Sequence, residues 1–75
     1  MKGQINQKKL ARVLKSIRLA RGLTQEDLAD VLFCDVRQIR RYESDGTDKL
    51  SIVSLYAEVF NLDLISILSE AQDAF

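Results

Sequence analysis

Histidine, proline and tryptophan are absent from this 75-residue chain, and it holds a single cysteine and only three glycines. One cysteine, Cys34, excludes an intrachain disulfide, and without histidine a Cys/His metal site has no ligand set. Cys34 falls in a turn without an obvious activating partner, and no nucleophile–base pair stands out. Enzymatic chemistry is therefore not expected, and no cofactor or metal is implied. No apolar run approaches the roughly 18 residues that a membrane span needs. The N-terminal MKGQINQKK lacks the apolar stretch of a signal peptide. These absences fit a protein of the reducing cytoplasm. Without proline, and with so little glycine, an all-β sandwich has too few turn residues.

What remains is enough for one small domain, expected over residues 1–75 with a core at about 7–71 and short tails at 1–6 and 72–75. The apolar fraction, 47%, is that of a globular protein. Eleven basic and eleven acidic residues cancel, but unevenly. Residues 1–42 carry ten Lys/Arg and four Asp/Glu, whereas residues 43–75 carry one and seven. Binding follows the local field at a contact surface, so this polarity keeps a polyanion partner open despite the zero total.

The apolar spacing is helical almost throughout. Leu10, Val13, Leu14 and Ile17 lie on one face of a first helix at about 7–21, started by Asn6 and followed by Gly22. Thr24 with Asp27 three residues on forms a capping-box pattern for a second helix at about 25–32. Asp35 is a good N-cap for a third at about 36–43, with Gln38 placed to reach back. Ser44 to Asp48 read as a polar loop. A fourth helix is expected at about 50–60, ended by Asn61, and a fifth at about 64–71, capped by Asp63. The chain is thus expected to be all-α, with five short helices.

Two helices of about eight residues around a three-residue break make a helix-turn-helix geometry. In the third helix Ile39 and Tyr42 face inward, leaving Arg37, Gln38, Arg40 and Arg41 outside. Arginine can grip guanine O6 and N7 with two hydrogen bonds, and glutamine can do the same to adenine N6 and N7. The plainer alternative is a solvated helix whose Arg40 and Arg41 pair with nearby acids.

The run IRLARGLTQEDLADVLFCDVRQIRRYE resembles the Cro/repressor type of helix-turn-helix, the Xre family, through Arg18, Gly22, Leu23, Thr24, Gln25, Leu28, Ala29, Leu32, Ile39, Tyr42 and Glu43. YAEVFNLDLISIL is similar to the family's ending, so the resemblance covers about residues 10–68 without a gap. It implies a compact five-helix, lambda-repressor-like domain that binds double-stranded operator DNA, usually as a homodimer. It implies base reading by Val36, Arg37 and Arg41, beside Gln38, and phosphate contacts from Thr24, Gln25, Arg40, Ser44, Thr47 and Lys49. It also implies a structural ion pair between Arg18 and Glu43. Gln25 suits a phosphate independently, because a helix N-terminus presents free amides.

Three positions depart from the family pattern. Phe33 stands where the turn usually has glycine. A positive φ there would cost about 1–2 kcal/mol, so either the turn is remodelled or Phe33 is buried in compensation. Val36 stands where relatives are often polar; it can meet a thymine methyl but reads no hydrogen-bond code. Asp35 can accept from cytosine N4 in addition to capping. Beyond these, Ile52, Leu55, Val59 and Ile65 are apolar where the family tends to be polar. They suggest a self-association face, or else a slightly larger core extended by Phe75 and the C-terminal tail. Two functions follow: a dimeric transcriptional repressor, or an antitoxin-like module that uses the fold to hold a protein partner.

Overall fold

The computed structural model describes residues 5–73. They form α1 (Gln7–Leu19), α2 (Gln25–Leu32), α3 (Val36–Asp45), α4 (Leu50–Val59) and α5 (Leu64–Glu70). The outer parts of the expected tails, residues 1–4 and 74–75, and with them the place of Phe75, lie outside the described residues.

The helix starts follow from local chemistry. The Asn6 side chain accepts from the Lys9 N–H at 3.0 Å, and that of Asp63 accepts from the Ser66 N–H at 3.2 Å. Thr24 and Asp27 exchange two hydrogen bonds of 3.0 Å, a complete capping box. Asp35 caps α3 through the Arg37 N–H at 2.8 Å; the expected reach-back by the Gln38 side chain does not form among the described residues.

Three of the helix ends are closed by left-handed residues. After α1 the Leu23 N–H donates to the Arg18 carbonyl and the Gly22 N–H to that of Leu19, with Gly22 at φ 67°. The same 6→1 and 5→2 pattern closes α2 at Phe33 and α4 at Asn61. Three termini thus use one device, with three different residues in the left-handed position. The other boundaries shift by a residue or two, except that α3 runs on through Ser44 and Asp45, which were expected in the loop. Neither residue breaks a helix. The stop is Gly46, at φ 76° and ψ −161°, a conformation essentially reserved for glycine.

At Phe33 both expected outcomes fail. The turn keeps its left-handed residue, at φ 55°, and Phe33 is 94% exposed, so burial offsets none of the strain.

The core is one cluster: Leu10, Leu14 and Ile17 of α1, Leu28, Ala29 and Leu32 of α2, Ile39 of α3, Val53, Tyr56 and Ala57 of α4, and Ile67 of α5 with Ala71. α3 packs against α1 and α2, and α5 against α1 and α4. The ends of the described chain are joined. Ile5 bridges to Gln72, the Asn6 N–H donates to the Ala71 carbonyl at 2.7 Å, and Lys9 meets Asp73 at 3.5 Å.

Candidate nucleic-acid interface

α2 and α3 meet across Phe33–Asp35, and α1 lies behind α3. The site is built outward from that junction. Arg18 of α1 and Glu43 of α3 face each other inside the protein, and both side chains are nearly excluded from water. Arg18 Nε donates to Glu43 Oε2 at 2.7 Å and Nη2 to Oε1 at 3.0 Å, a two-pronged pair. Nη1 donates to the Leu23 carbonyl at 2.8 Å, so the guanidinium also secures the chain entering α2. The hydrogen bond to Glu43 raises the Arg18 pKa above its ordinary value, against the lowering effect of burial. Gln25, the first residue of α2, adds an N–H from Nε2 to Glu43 Oε1 at 3.2 Å. One carboxylate therefore ties three helices together.

Beside this junction Tyr56 is fully buried, and its hydroxyl has no hydrogen-bond partner among the described residues. Burial, with Glu43 nearby, pushes the phenol far above its usual range.

The opposite side of α3 is the candidate contact surface. Ile39 is its one buried residue; Arg37, Gln38, Arg40 and Arg41 are exposed. Val36 is half-buried and packs against the core, so less of it is offered outward than of its neighbours. The expected pairing of Arg40 and Arg41 with acids divides. Arg40 lies 3.9 Å from Glu26, at the limit of an ion pair, and Arg41 has no acidic partner among the described residues. Arg37 is held instead by Asp35, at 3.2 Å.

Arg41 borders two clefts. One, of about 290 Å³, lies among Asp35, Arg37, Gln38 and Arg41. The other, of about 430 Å³, runs from the end of α3 to the start of α4, and Thr47 and Lys49 line it. Lys49 supplies no side-chain cap to α4. Asp45 and Asp48 share this lining, so the cleft is not uniformly positive. Ser44 sits on the last turn of α3, its hydroxyl donating to the Arg41 carbonyl at 3.3 Å. Thr24 is committed to the capping box, and its hydroxyl is already an acceptor.

Sequence reasoning missed Gln7 and the contact it makes. The first residue of α1 packs on buried Gly46, so closely that a Cβ at Gly46 would lie 2.7 Å from the Gln7 carbonyl oxygen and press on the Gln7 side-chain oxygen. The signal available was Gly46 itself, alone in a polar stretch. Of the four apolar residues set aside on α4 and α5, Ile52 and Leu55 are half-buried against the core, whereas Val59 and Ile65 are exposed, Ile65 by 71%. No described helix is long and apolar enough to cross a membrane.

Five helices with α2 and α3 set as a helix-turn-helix define the class. Residues 14–67 match the helix-turn-helix family profile, and the chain belongs to that family in its Xre/Cro-like form, one of DNA-binding regulators. No curated protein matches the chain.

Proposed function

We propose that the chain is a sequence-specific transcriptional repressor of the cytoplasm that binds a near-palindromic operator as a homodimer. The observation that carries this reading is the division of α3. It gives Ile39 to the core and leaves Arg37, Gln38, Arg40 and Arg41 to solvent. In the major groove Arg37 and Arg41 take guanine, Gln38 takes adenine, and the exposed edge of Val36 meets a thymine methyl. The first-turn amides of α2, with Thr24 and Gln25, meet phosphate on one flank. Arg40, Ser44, Thr47 and Lys49 meet it on the other. Val59 and Ile65, beside Ile52 and Leu55, form the two-fold interface, which sets the two recognition helices about 34 Å apart.

Selection of binding sites from random DNA, followed by footprinting, tests the reading. It should yield a near-palindrome with half-sites about one helical turn apart. Affinity should fall steeply with salt in spite of the neutral total charge, because counterion release depends on local contacts. Failure to enrich any sequence would defeat the proposal. For the interface, Ile65→Asp should elute as a folded monomer with little operator affinity; a dimer of parental affinity moves the interface elsewhere. A second reading, an antitoxin-like module, draws on the acidic balance of residues 43–75 and on Leu50, 57% exposed on α4. An aggregating monomer rescued by a partner protein would favour it over the clean homodimer expected here.

A further inference from the structure

Asp35 does two things at once. Its Oδ1 accepts from the Arg37 backbone N–H at 2.8 Å, which caps α3, and from Arg37 Nε at 3.3 Å, while Oδ2 accepts from Nη2 at 3.2 Å. The carboxylate is fixed to the helix end, and the guanidinium is fixed to the carboxylate.

The donor count gives this arrangement its meaning. A guanidinium has five N–H groups. Asp35 occupies the side edge, through Nε and one hydrogen of Nη2. The end edge, formed by Nη1 and the other hydrogen of Nη2, is left unused, and it is a two-pronged donor suited to guanine O6 and N7. Arg37 is 82% exposed, so nothing else in the described chain restrains it. A long exposed side chain ordinarily loses rotamer freedom on binding, and one held beforehand loses less. The acid also acts against wrong sites. Its negative charge lines the cleft together with Arg37, Gln38 and Arg41, where it disfavours phosphate and any base that cannot engage the free edge of Arg37.

We propose that Asp35 is a specificity-determining positioning residue: it aims Arg37 at a guanine and penalises other sequences, beyond its role as a helix cap. The inference rests on the DNA-reading function proposed above.

The test compares base-preference profiles, measured on duplexes that vary one operator position at a time, for the parent, Asp35→Asn, Arg37→Ala and the double variant. Asparagine caps a helix as well as aspartate does, so Asp35→Asn should melt with the parent. It should lose about tenfold in preference for guanine at one base pair. Its affinity for random duplex should rise. Arg37→Ala should lose the same preference at the same base pair, and adding Asp35→Asn to it should cost nothing more there. Should Asp35→Asn melt early, Asp35→Ser takes its place, because serine also caps a helix and carries no charge to hold the guanidinium. That variant should also lose preference at this base pair. A parental profile in Asp35→Asn, or an equal loss with Arg37 already replaced, overturns the proposal while the DNA-reading function stands. A parent that prefers no sequence overturns both.

Discussion

Two arginine–carboxylate pairs lie on opposite sides of α3. Arg18 and Glu43 meet at 2.7 Å with side chains 8% and 4% exposed; Arg37 and Asp35 meet at 3.2 Å, largely in solvent. The chemistry is the same and the work differs. Water screens the outer pair, so it contributes little to stability, and its carboxylate can orient an arginine that remains free to act. The inner pair is out of water. Each charge there depends on the other, and neither is available to a ligand. The inner pair also spans 25 positions and joins helices, whereas the outer spans two and joins none. Solvent therefore separates a basic helix into a side that holds the fold and a side that can read.

The strongest way to break this contrast is from the inside. Glu43→Ala leaves a buried guanidinium without its partner, at a cost of about 3–5 kcal/mol. A small domain is stable by only about 5–15 kcal/mol, so the melting temperature should drop by tens of degrees. A melt by circular dichroism within a few degrees of the parent would show that Arg18 finds other company. Next comes Gly46→Ala, also on the inner side. It combines a glycine-only conformation with a Cβ placed against the Gln7 backbone, and about 2–3 kcal/mol should be lost. Gly22→Ala is the control: φ is also positive there, but nothing lies within 4 Å, so only about 1 kcal/mol is at stake. Equal costs at the two glycines would mean that α1 and the α3–α4 turn shift apart freely.

On the outer side the effect should reverse. Arg41→Ala should weaken operator binding by about 1–3 kcal/mol while the melting temperature stays put. An unchanged titration, or a lowered melt, would erase the division between the two sides. The smallest expected effect is a gain. In Phe33→Gly the left-handed strain of about 1–2 kcal/mol is relieved, and the chain entropy of glycine, roughly 0.5–1 kcal/mol, takes part of it back. A rise of a few degrees should remain, because a side chain 94% exposed forfeits almost no burial. A fall in the melting temperature would show that Phe33 packs on something.

Where sequence and structure agree, the cause is short-range. Asn6, Thr24, Asp35 and Asp63 cap helices by bonds to residues two or three positions on, and Asn61 ends α4 through its own backbone preference. Helical periodicity likewise placed Leu10, Leu14, Ile17, Leu28 and Ile39 in the core. The ion pair between Arg18 and Glu43 was legible only through family resemblance, since nothing local links residues 25 apart. The third bond to Glu43, from Gln25, was not legible at all, nor was the seat of Gln7 on Gly46. Both depend on how three helices come together. Phe33 was misjudged for a different reason. Strain at a residue need not be repaid at that residue, and the surrounding core is sufficient to hold the turn.

The joining of Ile5 to Gln72, with Asn6 on Ala71 and Lys9 on Asp73, makes the described chain nearly a closed ring. A pull applied to both ends of the described segment would load this clasp first: the Lys9–Asp73 pair in solvent, then the bridge and the bond from Asn6 to buried Ala71. The α2–α3 corner would carry no tension until α1 and α5 had parted. Mechanically, then, the corner proposed to read DNA is the part most sheltered from the ends of the described segment.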